Sequence, residues 1–169
     1  MRCLVPVVLA LGALGCSIIP SEALPPVTAP AVSDAALLAL IPVDASWSYF
    51  NRSPIPIVRS SRPHPQSHAL VRYNAIASTQ LDASGRVRSG AVFPDSSIIV
   101  KALSNGGAVE TYAVMMRLRG SASAGYGGWI WAEFGPDGAV KYSTAGRGAS
   151  CAPCHSTGID YTRMNDSRP

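Results

Sequence analysis

The sequence predicts a mainly β, α+β fold in which an antiparallel sheet carries a few short helices. Three observations predict it. Apolar and polar residues alternate in several short runs after His68. The runs are separated by "NGG", "GSASAGYGG" and "GPDG", which is turn and hairpin chemistry. Helical windows are brief, confined to "SDAALLAL" and to residues 74–81. With 169 residues, 47% of them apolar, the chain has room for one domain plus accessory segments.

In chain order, residues 1–23 read as a secretory signal peptide: Arg2, an apolar run from Leu4 to Gly15, then small residues. The run is too short for a stable membrane span. Cleavage is expected after Ser21-Glu22-Ala23; alternatively "ALGC" acts as a lipoprotein box, the signal ends at 15, and Cys16 carries lipid. The mature chain is therefore expected to be periplasmic or otherwise extracytoplasmic, touching a membrane only if lipidated at Cys16. Residues 24–65, rich in Pro, Ala and Ser, read as a tether with one short helix capped by Ser33, apolar at Ala36, Leu37, Leu40 and Ile41. Arg52, Arg59 and Arg62 read as a solvated face, with a partner or membrane contact as the alternative.

Residues 66–169 form the predicted domain. A strand over 69–73 leads into a helix over 74–81 that ends at "DASG". Strands follow over 96–103, 109–119, 128–134 and 139–143. Period-two alternation puts Trp129 and Trp131 on one face and Ile130 and Ala132 on the other, so both faces are partly apolar. Ile98 and Val100 point one way, Ile99 and Lys101 the other, and Met115 and Met116 face opposite sides.

Chemistry concentrates in "CAPCHSTG", residues 151–158. Cys3 leaves with the signal and Cys16 is removed or capped, so Cys151 and Cys154 are the thiols that remain. A zinc site would need ligands from His64 or His68, far upstream. A thioredoxin-like dithiol would need a βαβ context that nothing here supplies. A plain disulfide leaves His155 unexplained. A single covalently attached haem c explains all three residues: two thiols spaced to reach neighbouring vinyl groups from one helical turn, and an adjacent imidazole to ligate the iron. One sheet face is then expected to cover the porphyrin.

The blocks "SHALVRYN", "AVFPDSSIIVKAL", "YAVMMRLRG", "GGWIWAEFGPDG" and "CAPCHSTGIDY", in that order over residues 66–163, resemble the cytochrome P-460 and cytochrome c′-beta family. The resemblance implies an antiparallel sheet with a few helices, one c-type haem on the C-terminal Cys-x-x-Cys-His, a five-coordinate iron and a homodimer. P-460 enzymes oxidise hydroxylamine at a haem cross-linked to lysine; c′-beta members lack the cross-link and bind nitric oxide or carbon monoxide. Lys101 matches the cross-linking position by block, although "FPDS" departs at Ser96 from the commoner "FPDG" in a way expected to alter the turn but not the strand after it. Lys101 also reads as a solvated strand residue. Lys101 and Lys141 are the only lysines. Glu133, two residues after Trp131, reads either as an acid or base near the iron or as half of a cross-strand ion pair.

Two function classes follow. One is an exported haem protein, open on its distal side, that acts on hydroxylamine or nitric oxide as an oxidoreductase or a gas binder. The other is an electron-transfer cytochrome with a six-coordinate haem, its sixth ligand drawn from Met115, Met116, Met164, His64 or His68. Either class admits a partner cytochrome as redox partner. The net charge of +4 is spread over scattered arginines without interleaved aromatics, which argues against a nucleic-acid role.

Overall fold

The computed structural model describes residues 29–41, 46–59 and 64–163. The signal-like segment with Cys16, and also Arg62 and Met164, lie outside the described residues. The architecture is a seven-stranded antiparallel sheet with short helices at its edges and on its faces. In chain order come α1 (Asp34–Leu38), β1 (Ser48–Tyr49), β2 (Ile57–Val58), β3 (His68–Tyr73), α2 (Ala75–Ser78), β4 (Ile98–Ser104), β5 (Val109–Arg117), β6 (Trp129–Phe134), β7 (Val140–Tyr142) and α3 (Ala152–His155). Strand order is β1-β3-β4-β5-β6-β7, with β2 beside β1 on the same edge of β3. No helix among the described residues is long and apolar enough to cross a membrane.

Each expected strand forms where alternation placed it. The Pro/Ala-rich stretch does more than link in its described parts: β1 and β2 pair with β3, and α1 lies on the sheet with Leu37 fully buried. Strands of two residues leave too little alternation to be read from sequence. The helix α1 begins as expected, with Ser33 Oγ accepting from Ala36 N at 3.2 Å. Asp34 ties it to the chain after β7 by accepting from Ser143 Oγ at 2.7 Å and Thr144 N at 2.6 Å.

Asn74 caps α2 with its Oδ1, which also accepts from Ile98 N at 3.1 Å, so one side chain fixes the helix start against β4. Helix α2 is shorter than the expected 74–81, because its last residues close a turn that leads to the Leu81–Val87 bridge. Ser96 takes a left-handed φ of 68°, the conformation a glycine adopts freely, and β4 follows from Ile98.

Alternation divides the sheet into two apolar layers. Ile98, Val100, Val114, Ile130, Ala132 and Phe134 pack under Leu37 and Ile41 of the α1 segment. On the opposite face Val71, Tyr73, Ile99, Leu103, Met115, Trp129 and Trp131 pack with Phe50, Ala77, Val87 and Phe93. Trp129 and Trp131 thus share a face, and Met115 and Met116 are divided between the two layers.

Candidate functional site

The register of the central strands builds the site. Lys101 pairs with Ala113, and Ala113 with Glu133, so the three form one row across β4, β5 and β6. The neighbouring row is Ile99, Met115 and Trp131. Lys101 and Glu133 stand two strand spacings apart, roughly 10 Å, with only a methyl group between them. That low point is the floor of a cavity of about 330 Å³. The volume lies at the lower end of the roughly 300–1,000 Å³ typical of ligand and cofactor sites.

The segment 144–163 supplies the opposite wall with Cys151, His155, Thr162 and Arg163, and His64 and Pro65 close the side. Helix α3 is a single turn with Pro153 near its start, where the missing N–H costs nothing. It is seated by Gly148, whose bare Cα lies against the Trp131 indole; a methyl group there would collide with the ring. The Trp131 ring in turn meets the His155 imidazole edge to face, centroids 4.8 Å apart at 83°.

His155 Nδ1 lies 2.8 Å from the Tyr161 carbonyl oxygen. A carbonyl only accepts, so Nδ1 carries the proton and the Nε2 lone pair is free. Desolvation, with Lys101 second, pushes the imidazole pKa down to about 4 despite the Tyr161 bond, so the ring is neutral at neutral pH. This is the form and tautomer of a metal-ligating histidine.

The thiols of Cys151 and Cys154 are half-buried and unjoined. Burial, helped by Glu133, pushes the Cys151 thiol up to about 11. A dithiol oxidoreductase depends on a lowered cysteine pKa, so the shift runs against that reading. Among the described residues no three His, Cys, Asp or Glu side chains converge on a point that could hold a metal ion.

Lys101 is half-buried and lines the cavity, and desolvation followed by the charges of Arg59 and Arg163 pushes its pKa down to about 8. It is not the solvated strand residue that alternation alone allows. Glu133 is raised, chiefly by desolvation. His64 Nδ1 approaches Glu133 Oε1 at 3.6 Å, but burial and the neighbouring cations push His64 down to about 4, so at neutral pH the imidazole is uncharged and the approach is not an ion pair.

Of the sixth-ligand candidates, Met115 and His64 line the cavity. Met116 packs on the opposite face, and His68 Nδ1 is engaged by Ser67 Oγ at 2.9 Å. Arg59 departs from the solvated cluster expected for it: it is buried, and its Nη1 donates to the Gln66 carbonyl at 2.9 Å. Arg52 is exposed as expected.

Ala113, Gly148, Arg163 and the Tyr161 carbonyl are site residues that sequence reasoning missed. A small residue flanked by larger ones within a strand was the available signal for Ala113; the others depend on long-range packing. The chain matches no protein-family model and no curated protein, so the geometry of its own residues carries the functional argument.

Proposed function

We propose that the chain is an exported mono-haem c-type cytochrome of the P-460 type, with an open distal iron site that acts on small nitrogen species. The observation that carries the reading is the His155–Tyr161 hydrogen bond, which leaves Nε2 free within a cavity that Cys151 also lines. Cys151 and Cys154 would hold the porphyrin through thioethers, and His155 would ligate the iron. The half-buried thiols, neutral imidazole and apolar Ile99–Met115–Trp131 row fit such a group. Bound there, the haem supplies a redox-active iron with one coordination position for nitric oxide, carbon monoxide or hydroxylamine.

The protein's own groups do the rest. Glu133, raised by desolvation, is suited to take a proton from a small N–H or O–H donor in the cavity. Neutral His64 beside it offers a hydrogen bond without adding charge. Lys101, lowered to about 8, presents a fraction of free amine at neutral pH, and it is the residue for the porphyrin cross-link that the P-460 resemblance implies.

Electron transfer through a six-coordinate haem is the second reading, favoured by His64 and Met115 lining the same cavity. One experiment tests both. The exported protein is denatured and extracted with acidic acetone, and its reduced native form is mixed with carbon monoxide. Haem retained through extraction, with fast single-phase carbon monoxide uptake, is the expected result. Loss of colour on extraction overturns covalent attachment, and slow or absent uptake hands the case to the electron carrier.

A further inference from the structure

The chain after α3 closes in a turn, Thr162 N donating to the Ile159 carbonyl at 2.8 Å. Its two central residues both have positive φ, Asp160 at 45° and Tyr161 at 64°. That is the pattern of a type I′ turn, which asparagine and glycine adopt readily and tyrosine does not. A bulky residue stays in this region only where its surroundings over-determine it.

The surroundings do so through Asp160. Its Oδ1 accepts from Arg117 Nη1 at 2.7 Å, its Oδ2 from Phe93 N at 2.8 Å, and its carbonyl from Trp129 Nε1 at 2.9 Å. The Arg117 and Asp160 side chains are 6% and 11% exposed, and the guanidinium lies 5.4 Å from the centroid of the Trp129 ring. The Tyr161 ring covers Gly127, where any side chain would strike it. Apolar residues in place of a buried ion pair often give a fold that is no less stable, so stability alone is a weak account of this cluster. Its geometric consequence is specific: it holds the peptide that aims the Tyr161 carbonyl at His155 Nδ1, 2.8 Å away.

We propose that Asp160, clamped by Arg117 and Trp129, is a positioning residue that fixes the tautomer, orientation and donor strength of His155 through the Tyr161 carbonyl. Its consequence at an iron rests on the reading of His155 as the axial ligand; its effect on the imidazole does not. A stronger acceptor at Nδ1 makes Nε2 a better donor and favours oxidised iron.

Two variants test it through separate bonds: Asp160→Asn removes the charge facing Arg117, and Trp129→Phe removes the indole N–H while keeping an aromatic ring. Nitrogen-15 NMR of the full chain before haem attachment reads the imidazole directly. In the unmodified protein His155 should show a single Nδ1-protonated tautomer with slowly exchanging Nδ1–H. Folded variants should show faster exchange and a mixture of tautomers. In the haem-loaded protein each variant should raise the reduction potential and lower the iron–histidine stretching frequency.

An unchanged imidazole signal in either folded variant overturns the proposal, as does absence of the Nδ1–H signature in the unmodified protein, which needs no variant to fold. An altered imidazole signal with an unchanged iron–histidine frequency keeps the positioning role and overturns His155 as the axial ligand instead.

Discussion

The two faces of the sheet are built from the same strands and do opposite things. On one, Ile98, Val100, Val114, Ile130, Ala132 and Phe134 are buried under Leu37 and Ile41, with no charged side chain among them. On the other, the apolar row Ile99–Met115–Trp131 stands beside Lys101–Ala113–Glu133, where two ionisable groups flank a methyl and the chain leaves a cavity. Packing is thus concentrated on one face and ionisable groups on the other. The sealed face has close-packed neighbours on every side; the open face forgoes that packing and desolvates charges, which is a cost the fold carries for a site.

Matched truncations on the two faces, one in β6 and one in β4, measure the difference in packing most directly. Ile130→Ala on the sealed face, where the side chain has no exposure, should cost about 4 kcal/mol. Ile99→Ala, which lines the cavity, should cost about 2 kcal/mol when measured before haem attachment, because one side of the residue already lacks packed neighbours. Urea unfolding of both variants checks the pair. Equal losses would mean that the open face is as well packed as the sealed one.

The contrast between faces was legible in part. Alternation correctly put Trp129 with Trp131 and Ile99 with Lys101 within their own strands, and Met115 opposite Met116, because a two-residue period is a local property. Cys151 and His155 were legible because their spacing is itself the signal. Which residue stands opposite which was not legible: Lys101, Ala113 and Glu133 share a row only through strand register, set by turns and by packing across the whole sheet. Arg59 failed for a related reason. A charge in a Pro-rich stretch reads as solvated until the segment is seen to fold back, where Arg59 N donates to the Ser67 carbonyl and its guanidinium to Gln66.

Lys101 is the desolvated cation of the open side. Its pKa near 8 means that, below that value, the fold holds a charged amine in a site that disfavours it, whereas the unfolded chain titrates near 10.5. Lys101→Met should therefore stabilise the haem-free chain by about 2 kcal/mol at pH 7, after allowance for residual solvent. The gain should shrink as pH rises from about 8 towards 10.5, since over that window the lysine protein sheds its proton in the folded state and recovers stability. In the haem-loaded protein, proteolysis and mass measurement decide the cross-link. Recovery of an unmodified peptide containing Lys101 rules it out and puts nitric oxide binding ahead of hydroxylamine oxidation; Lys141, exposed and donating to the Glu110 carbonyl at 2.8 Å, is the control that should stay free.

The smallest expected effect belongs to His64, which closes the side of the cavity. Unfolded, it titrates near 6.5; folded, burial and the charges of Lys101 and Arg59 hold it near 4. Between those values the unfolded chain binds more protons, so stability present above pH 6.5 is lost as pH falls towards 4. Glu133 acts in the opposite sense, since its raised pKa favours the folded state as the carboxyl takes up its proton, and it offsets part of the loss at the acid end. Comparing His64→Gln with the parent cancels the contributions of Glu133 and His155 to first order. The fall in unfolding free energy from pH 7 to pH 5 should be smaller in the variant by about 1 kcal/mol, read from urea midpoints at the two pH values. An identical fall in both proteins would place His64 in solvent, and the open face would then lack the wall that this imidazole supplies.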